Sequence, residues 1–228
     1  MESLLDWTAI GVSTRLSLMT MVVLVSIGMP IAYWIAFSTW RGKFLVEAIV
    51  ALPLVLPPTV LGFYVLVGIG PASPFGRAFA RVAGHGLPFT FEGLLIASVL
   101  YSLPFAVQPF SAAFASVDRR LLEASWSLGV SRFSTFRRVI LPLSARGIVT
   151  GMVLSFAHTL GEFGVVLMVG GNLPGVTRTV SISIYDSVQA LNYEAAWHTS
   201  LLLFVVSFAI LSITYSLQKT VWAAWPMR

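Results

Sequence analysis

Cysteine is absent from the 228 residues, and charge is scarce: 14 Lys and Arg with 9 Asp and Glu make up only 10% of the chain. Without cysteine there is no disulfide framework, no thiolate metal site and no cysteine nucleophile. Hydrophobic residues reach 57% and the mean hydropathy is +0.88. Soluble domains run nearer about 45–50% apolar and about 25% charged, and a chain this short cannot close a core over so apolar a composition. Most of the surface therefore faces lipid. That excludes a cytosolic enzyme, a disordered protein and a secreted disulfide scaffold. A Gly-x-x-x-x-Gly-Lys-Ser/Thr loop and a His-Glu-x-x-His pair are also missing, so the chain has neither that ATP-binding loop nor that zinc site. No repeat, linker or low-complexity tract divides it, and residues 1–228 read as a single membrane domain.

What is present is a series of long apolar runs. Crossing about 30 Å of hydrocarbon takes roughly 20 apolar residues in a helix. Five stretches qualify: Leu16 to Trp40, Ala48 to Gly70, Gly93 to Val117, Gly147 to Gly171, and Ala195 to Gln218. In lipid each backbone amide needs an internal partner, so these are helices, and the alternation of a membrane barrel is absent. The expected fold is an all-α polytopic bundle of about five membrane-spanning helices. The first run is too long for a cleaved signal, and Glu2 and Asp6 stand where a signal would be basic. A sixth span within 172–194 is disfavoured by Arg178, Asp186 and Glu194.

Basic residues between the runs are unevenly placed. The head through Ile10 has none. The first loop has Arg41 and Lys43, the second Arg77 and Arg81, and the fourth Arg178 against Asp186 and Glu194. The third loop carries Arg119, Arg120, Arg132, Arg137, Arg138 and Arg146, and the tail Lys219 and Arg228. The positive-inside rule then puts the first and third loops and the C-terminus in the cytoplasm and the N-terminus outside.

The third loop, 118–142, reads as two short amphipathic helices. Leu121, Ala124, Ser125 and Leu128 share one face at helical spacing. Gly129 suits the left-handed residue that closes such a helix, and Ser131 can cap the next. Phe133, Phe136 and Ile140 make an apolar stripe flanked by arginines, and Pro142 marks a break before the fourth span. Arginines on a surface helix also suit phospholipid headgroups, but headgroup binding does not require a small-residue patch, a glycine stop and a second helix in this order.

The run Glu123-Ala124-Ser125, then Gly129, then Val139-Ile140-Leu141-Pro142 resembles the signature loop of ABC-importer permeases, with Ser125 in place of a second alanine and Val139 in place of isoleucine. The resemblance implies a coupling helix that docks in a cleft of a separate cytoplasmic ATPase. Its contact residues would be Glu123, Ala124, Ser125, Gly129, Phe133, Phe136, Leu141 and Pro142. Small residues allow close approach there, and the aromatic pair would anchor a groove contact.

Two features sit inside the apolar runs. Pro53, Pro57 and Pro58 remove three backbone donors in the second, a pattern that lipid tolerates only against protein or a water-filled cavity and that transporters place near their pathways. Pro104 and Pro109 repeat the theme in the third. Glu162, within Gly161-Glu162-Phe163-Gly164, must face protein or water. An anionic side chain suits a gate or packing network better than a ligand for an anion. His158, one turn earlier, is a possible pair for it; one His and one Glu are too few for a metal. Pro53, Pro57, Pro58, Thr59, Gly161, Glu162 and Gly164 are thus the expected pathway or gate residues. Gly147 and Gly151 form a small-xxx-small face for close helix contact.

Further words, Leu-Pro-Leu-Val-Leu-Pro-Pro (52–58), Phe-Ala-Ser-Val-Asp (114–118), Leu-Gly-Glu-Phe-Gly (160–164) and Gly-Asn-Leu-Pro-Gly-Val-Thr-Arg-Thr (171–179), are similar to those of bacterial molybdate ABC-transporter permeases. The resemblance implies a type I importer permease fold in the bacterial inner membrane and a homodimer. It also implies two ATPase subunits that carry ATP and Mg, with no cofactor on this chain, and an extracytoplasmic oxyanion-binding protein. It implies no nucleic acid and no catalysis by this chain. Tungstate, sulfate and thiosulfate permeases remain alternatives. Two other classes are weighed against it. Gly129-Val-Ser131-Arg132 superficially matches a serine-protease word, with His158 as base, and a scaffold would have no pathway.

Overall fold

The computed structural model describes residues 5–219; Glu2 and Arg228, used in the charge count, lie outside the described residues. The elements are α1 (Trp7–Phe37), α2 (Lys43–Ala51), a 3-10 turn at Leu52–Leu54, α3 (Pro58–Ile69), α4 (Pro74–Ala83) and α5 (Phe91–Ala115). They continue with α6 (Arg119–Ser127), α7 (Arg132–Thr135), a π turn at Phe136–Ile140, α8 (Leu141–Leu160), α9 (Gly164–Gly170), α10 (Val180–Gln189) and α11 (Tyr193–Lys219). No strand occurs among the described residues.

Among the described residues, four helical stretches are long and apolar enough to cross a membrane: Trp7–Phe37, Phe91–Ala115, Arg132–Leu160 and Tyr193–Ser216. The second expected span qualifies only as a pair, Lys43–Leu54 and Pro58–Ile69, bent by 111°. The diproline causes the bend. Pro58 pushes the residue before it out of the helical region, and Pro57 sits at ψ 136°. The fourth span also differs from expectation. It starts well before Gly147, and Pro142 does not break it. A helical proline lacks an N–H and crowds the carbonyl four residues back. Here the π turn takes up the mismatch, with the Leu141 N–H reaching the Phe136 carbonyl, and one helical run continues from Arg132 to Leu160. That run stops before Glu162, which lies in a break between α8 and α9 and not inside a span. In the 172–194 segment α10 has 10 residues, too few to cross.

The first span begins earlier than expected, with the Asp6 carboxylate accepting the Ala9 N–H at 2.9 Å as its cap. Arg15, which falls in none of the loops, is therefore two turns into α1, with its guanidinium 4.3 Å from the centre of the Phe91 ring.

The centre of the fold is the trio α1, α5 and α8. Leu24, Phe110, Phe114, Ile140 and Ile148 are buried among them. Between membrane helices close packing replaces the hydrophobic drive, and glycines provide it. A side chain at Gly147 would strike Ala113, and one at Gly151 would come within 2.6 Å of the Phe110 ring. The Gly147/Gly151 face therefore packs on α5 of the same chain. α11 is the least buried span and turns Trp197, Phe204 and Phe208 outward.

Candidate functional site: coupling helices and paired breaks

α6 and α7 cross one end of the bundle. Asp118 caps α6 by accepting the Arg120 N–H at 2.9 Å. The helix closes at Gly129, whose φ of +76° is the left-handed conformation expected of it; the Gly129 N–H donates to Trp126 at 2.9 Å and the Val130 N–H to Ser125 at 3.1 Å. Ser131 then caps α7, accepting from the Ser134 N–H at 3.3 Å.

Two contacts fix α6 to the bundle. Leu122 is buried in the central core, and the Ser125 and Thr135 hydroxyls hydrogen-bond at 2.9 Å, tying α6 to the foot of the long fourth helix. This second tie is not legible in the sequence. Ser125 reads only as a departure from alanine, and its partner lies across a turn. Glu123, Ala124, Gly129, Phe133 and Pro142 are exposed, while Ser125, Phe136 and Leu141 are half-buried. The aromatic pair is therefore split. Phe133 faces outward at 74% exposure, whereas Phe136 turns inward, edge-on to Tyr33 at 5.4 Å and to Phe114 at 6.0 Å. Phe136 is a packing residue and not an exposed anchor.

The pathway candidates converge in part. The break at 55–57 and the break at 161–163 meet through glycines. A Cβ on Gly164 would lie 2.6 Å from Pro58 Cβ, and one on Gly62 2.8 Å from Met168 Cβ. α3 and α9 thus pack as two half-helices beside each other, with Val65, Ile69, Val165 and Val169 buried between them. Pro57, Pro58 and Thr59 remain exposed, whereas Pro53 is buried.

Glu162 is 5% exposed. It does not pair with His158. The His158 ring stacks on Phe105 at 3.8 Å, and its Nδ1 lies 2.9 Å from the Ser102 hydroxyl, which also bonds Thr159 at 2.8 Å. The Glu162 carboxylate instead sits over the start of α9, which has no side-chain cap. The Ser98 hydroxyl and the Val166 amide face it, and neither closes to a full hydrogen bond. Orphan amides at a helix N-terminus favour a negative group.

At the opposite end of the bundle Arg178 organises a segment that reads in the sequence as a simple loop. Its Nε donates to Asn172 Oδ1 at 2.6 Å, and the guanidinium lies 3.2 Å from Asp186 and 3.9 Å from Asp6. Asp6 also accepts from the Ser183 hydroxyl at 3.1 Å, and Ser13 accepts the Val180 N–H at 2.8 Å. The start of α1 is thereby fixed to α10. The available signal is the set of opposite charges in two polar segments, but their sequence separation conceals it.

The serine-protease reading fails on geometry. The Ser131 hydroxyl is spent as a cap, and His158 lies 27 residues further along a helical run, about 40 Å at 1.5 Å per residue.

Solved structures place this arrangement in a class. A bacterial importer of the acidic polysaccharide alginate has the same fold, with a TM-score of 0.75 at 18% identity over 94% of this chain and 79% of that one. The MetNI methionine ABC transporter matches with a TM-score of 0.71 at 16% identity, over 95% of each chain. The fold is that of a type I ABC-importer permease. The sequence pattern described as "binding-protein-dependent transport system inner membrane component" matches residues 28–223, and the chain belongs to that family. Among its relatives is the molybdenum transport system permease protein ModB of Azotobacter vinelandii, 47% identical over 94% of this chain and 95% of that one.

Proposed function

We propose that this permease carries molybdate through a homodimer whose N-termini lie outside and C-termini in the cytoplasm. An extracytoplasmic binding protein delivers the oxyanion. Two ATPase subunits, which bind the ATP and Mg, dock on α6. The substrate rests on the 47% identity to a molybdenum permease across nearly the full length of both chains; the orientation rests on the six arginines of the 118–146 loop.

The observation that carries the coupling role is the rigid link from α6 to the breaks. The exposed Glu123–Ala124 face belongs to a helix tied at Leu122 and Ser125 to the foot of the Arg132–Leu160 run. That run ends at Gly161, where the next half-helix packs on Pro58. A displacement of α6 by an ATPase therefore reaches the paired breaks through one continuous helix, and Glu162 serves there as a helix-end anchor and gate residue, without binding the anion.

The test is ATP-dependent uptake into proteoliposomes holding permease and ATPase subunits, with binding protein supplied outside the vesicle. Molybdate uptake is expected, with tungstate as the stronger competitor and sulfate as the weaker. Uptake of sulfate in preference to molybdate would reassign the substrate. Unchanged coupling in Glu123→Lys at equal abundance would remove α6 from its role.

A further inference from the structure

Two cavities meet at the elbow between α1 and α6. One, of about 460 Å³, brings Arg119, Glu123 and Arg132 together with Tyr33, Phe37 and Trp126. The other, of about 540 Å³, is an apolar groove along α1, lined by Val25, Met29, Pro30 and Phe136, and it too includes Tyr33 and Arg132. The two shared residues set the cavities side by side, and together they form a trough with charged residues at one end and an apolar groove at the other.

The charges at the head are unspent. The three ion pairs among the described residues are Lys43–Glu47, Arg178–Asp6 and Arg178–Asp186; none uses Arg119 or Arg132. Arg132 is held in place by its guanidinium lying 5.5 Å from the Trp126 ring centre. With Glu123 counted, the head carries one net positive charge. Trp34 and Trp126 line the head and Trp40 packs on Trp34; all three are exposed, and indoles favour a membrane–water boundary. The apolar groove runs along the membrane-spanning helix α1, where Ser26 and Pro30 are exposed in the single chain.

We propose that this trough binds one anionic glycerophospholipid, its phosphodiester between Arg119 and Arg132 and one acyl chain along Val25–Met29. A phosphate with a single negative charge matches the head, and bidentate guanidinium contacts suit its oxygens. The apolar groove distinguishes this from loose attraction of headgroups to a basic surface, because it selects a molecule with a tail. The site takes in Glu123 at the edge of the face proposed to meet the ATPase and leaves Ala124 outside it, so an occupied trough stiffens the elbow that an ATPase would push. The leaflet is cytoplasmic if the orientation proposed above holds; the residues of the site do not depend on that orientation.

The test is native mass spectrometry of the permease with its ATPase subunits in detergent, titrated with phosphatidylglycerol, phosphatidylethanolamine or soluble glycerol phosphate. Phosphatidylglycerol should be retained in preference to the other two. The Arg119→Gln/Arg132→Gln double variant should bind it about tenfold more weakly, the loss expected for charge-assisted contacts, while Arg120→Gln, outside the trough, should bind as the parent does. Met29→Trp, which fills the groove, should also weaken retention without changing the charge. Equal retention by the double variant, or equal binding of phosphatidylethanolamine, would overturn the headgroup assignment. Displacement by glycerol phosphate at matched concentration, or no effect of Met29→Trp, would overturn the lipid. These readouts are independent of molybdate uptake, so failure of the substrate assignment leaves them standing.

Discussion

Two prolines in this chain meet opposite fates. At Pro58 the helix turns through 111°; at Pro142 it runs on for another 18 residues to Leu160. The neighbours decide. Pro57 is itself a proline, and the residue before a proline is driven to extended backbone; its ψ of 136° leaves no helical route across the junction. Leu141 has φ −59° and ψ −47°, held helical by the π turn below it and by the Ser144 hydroxyl bonding the Ala113 carbonyl at 3.1 Å. A proline in a membrane helix thus breaks it where the preceding residue cannot stay helical, and bends into the ladder where a wider turn and an adjacent helix absorb it.

The largest effect should come from prying the two breaks apart. Gly164→Val would force a branched side chain into Pro58, at a cost of about 1–3 kcal/mol in overpacking; uptake should be abolished and thermal unfolding in detergent lowered. Full transport with that variant would show that the breaks need not touch. Next, Pro58→Ala removes the restraint on Pro57 and should relax the bend, cutting uptake by about tenfold or more with the complex still assembled, whereas Pro142→Ala should leave uptake near the parent level. If the two behave alike, the neighbour argument fails.

Glu162 sharpens the comparison at the other break. Glu162→Leu strips a buried carboxyl group from beside the start of α9 and leaves the Ser98 hydroxyl and the Val166 amide facing an apolar side chain, which should cost about 1 kcal/mol, with slower uptake; Glu162→Gln should keep assembly. A shift in oxyanion preference with normal assembly would instead put the side chain in the substrate path. Gly129→Val places a branched residue at φ +76°, where a Cβ meets no neighbour, so the cost is backbone strain alone, about 1–2 kcal/mol; ATP hydrolysis should persist while uptake falls. The smallest effect belongs to Ser125→Ala, which removes one hydroxyl contact worth about 1 kcal/mol and should loosen coupling only slightly.

The legible parts of the molecule are the local ones. The Gly129 and Ser131 signals stand two residues apart and report turn chemistry directly, so the close of α6 and the start of α7 follow from the order of residues alone. The diproline announces a break, though its angle depends on how α3 lies against α9. Pro142 misleads because proline chemistry alone does not contain the π turn or the α5 carbonyl that accommodate it. His158 next to Glu162 suggests a pair, but the ring finds Phe105 and Ser102 on a different helix, and helix-to-helix partners leave no spacing in a sequence. Phe136 and Phe133 look alike for the same reason: their stripe is three residues apart, yet one face meets Tyr33 and the other is bare.

The π turn also preserves the rotation of everything after it. It spends one residue more than an α-helical turn would, and each residue advances a helix by about 100°. The surplus residue is taken up inside that one wide turn, so the helix beyond it keeps its bearing and the smooth side at Gly147 and Gly151 stays against Ala113 and Phe110. The close seam between α5 and α8 is therefore a phase relation. A single-residue deletion within 136–140 should close the wide turn to an ordinary helical one and leave the seam in phase, whereas a deletion in the regular helix between Leu143 and Arg146 would rotate Gly147 and Gly151 by about 100° away from α5.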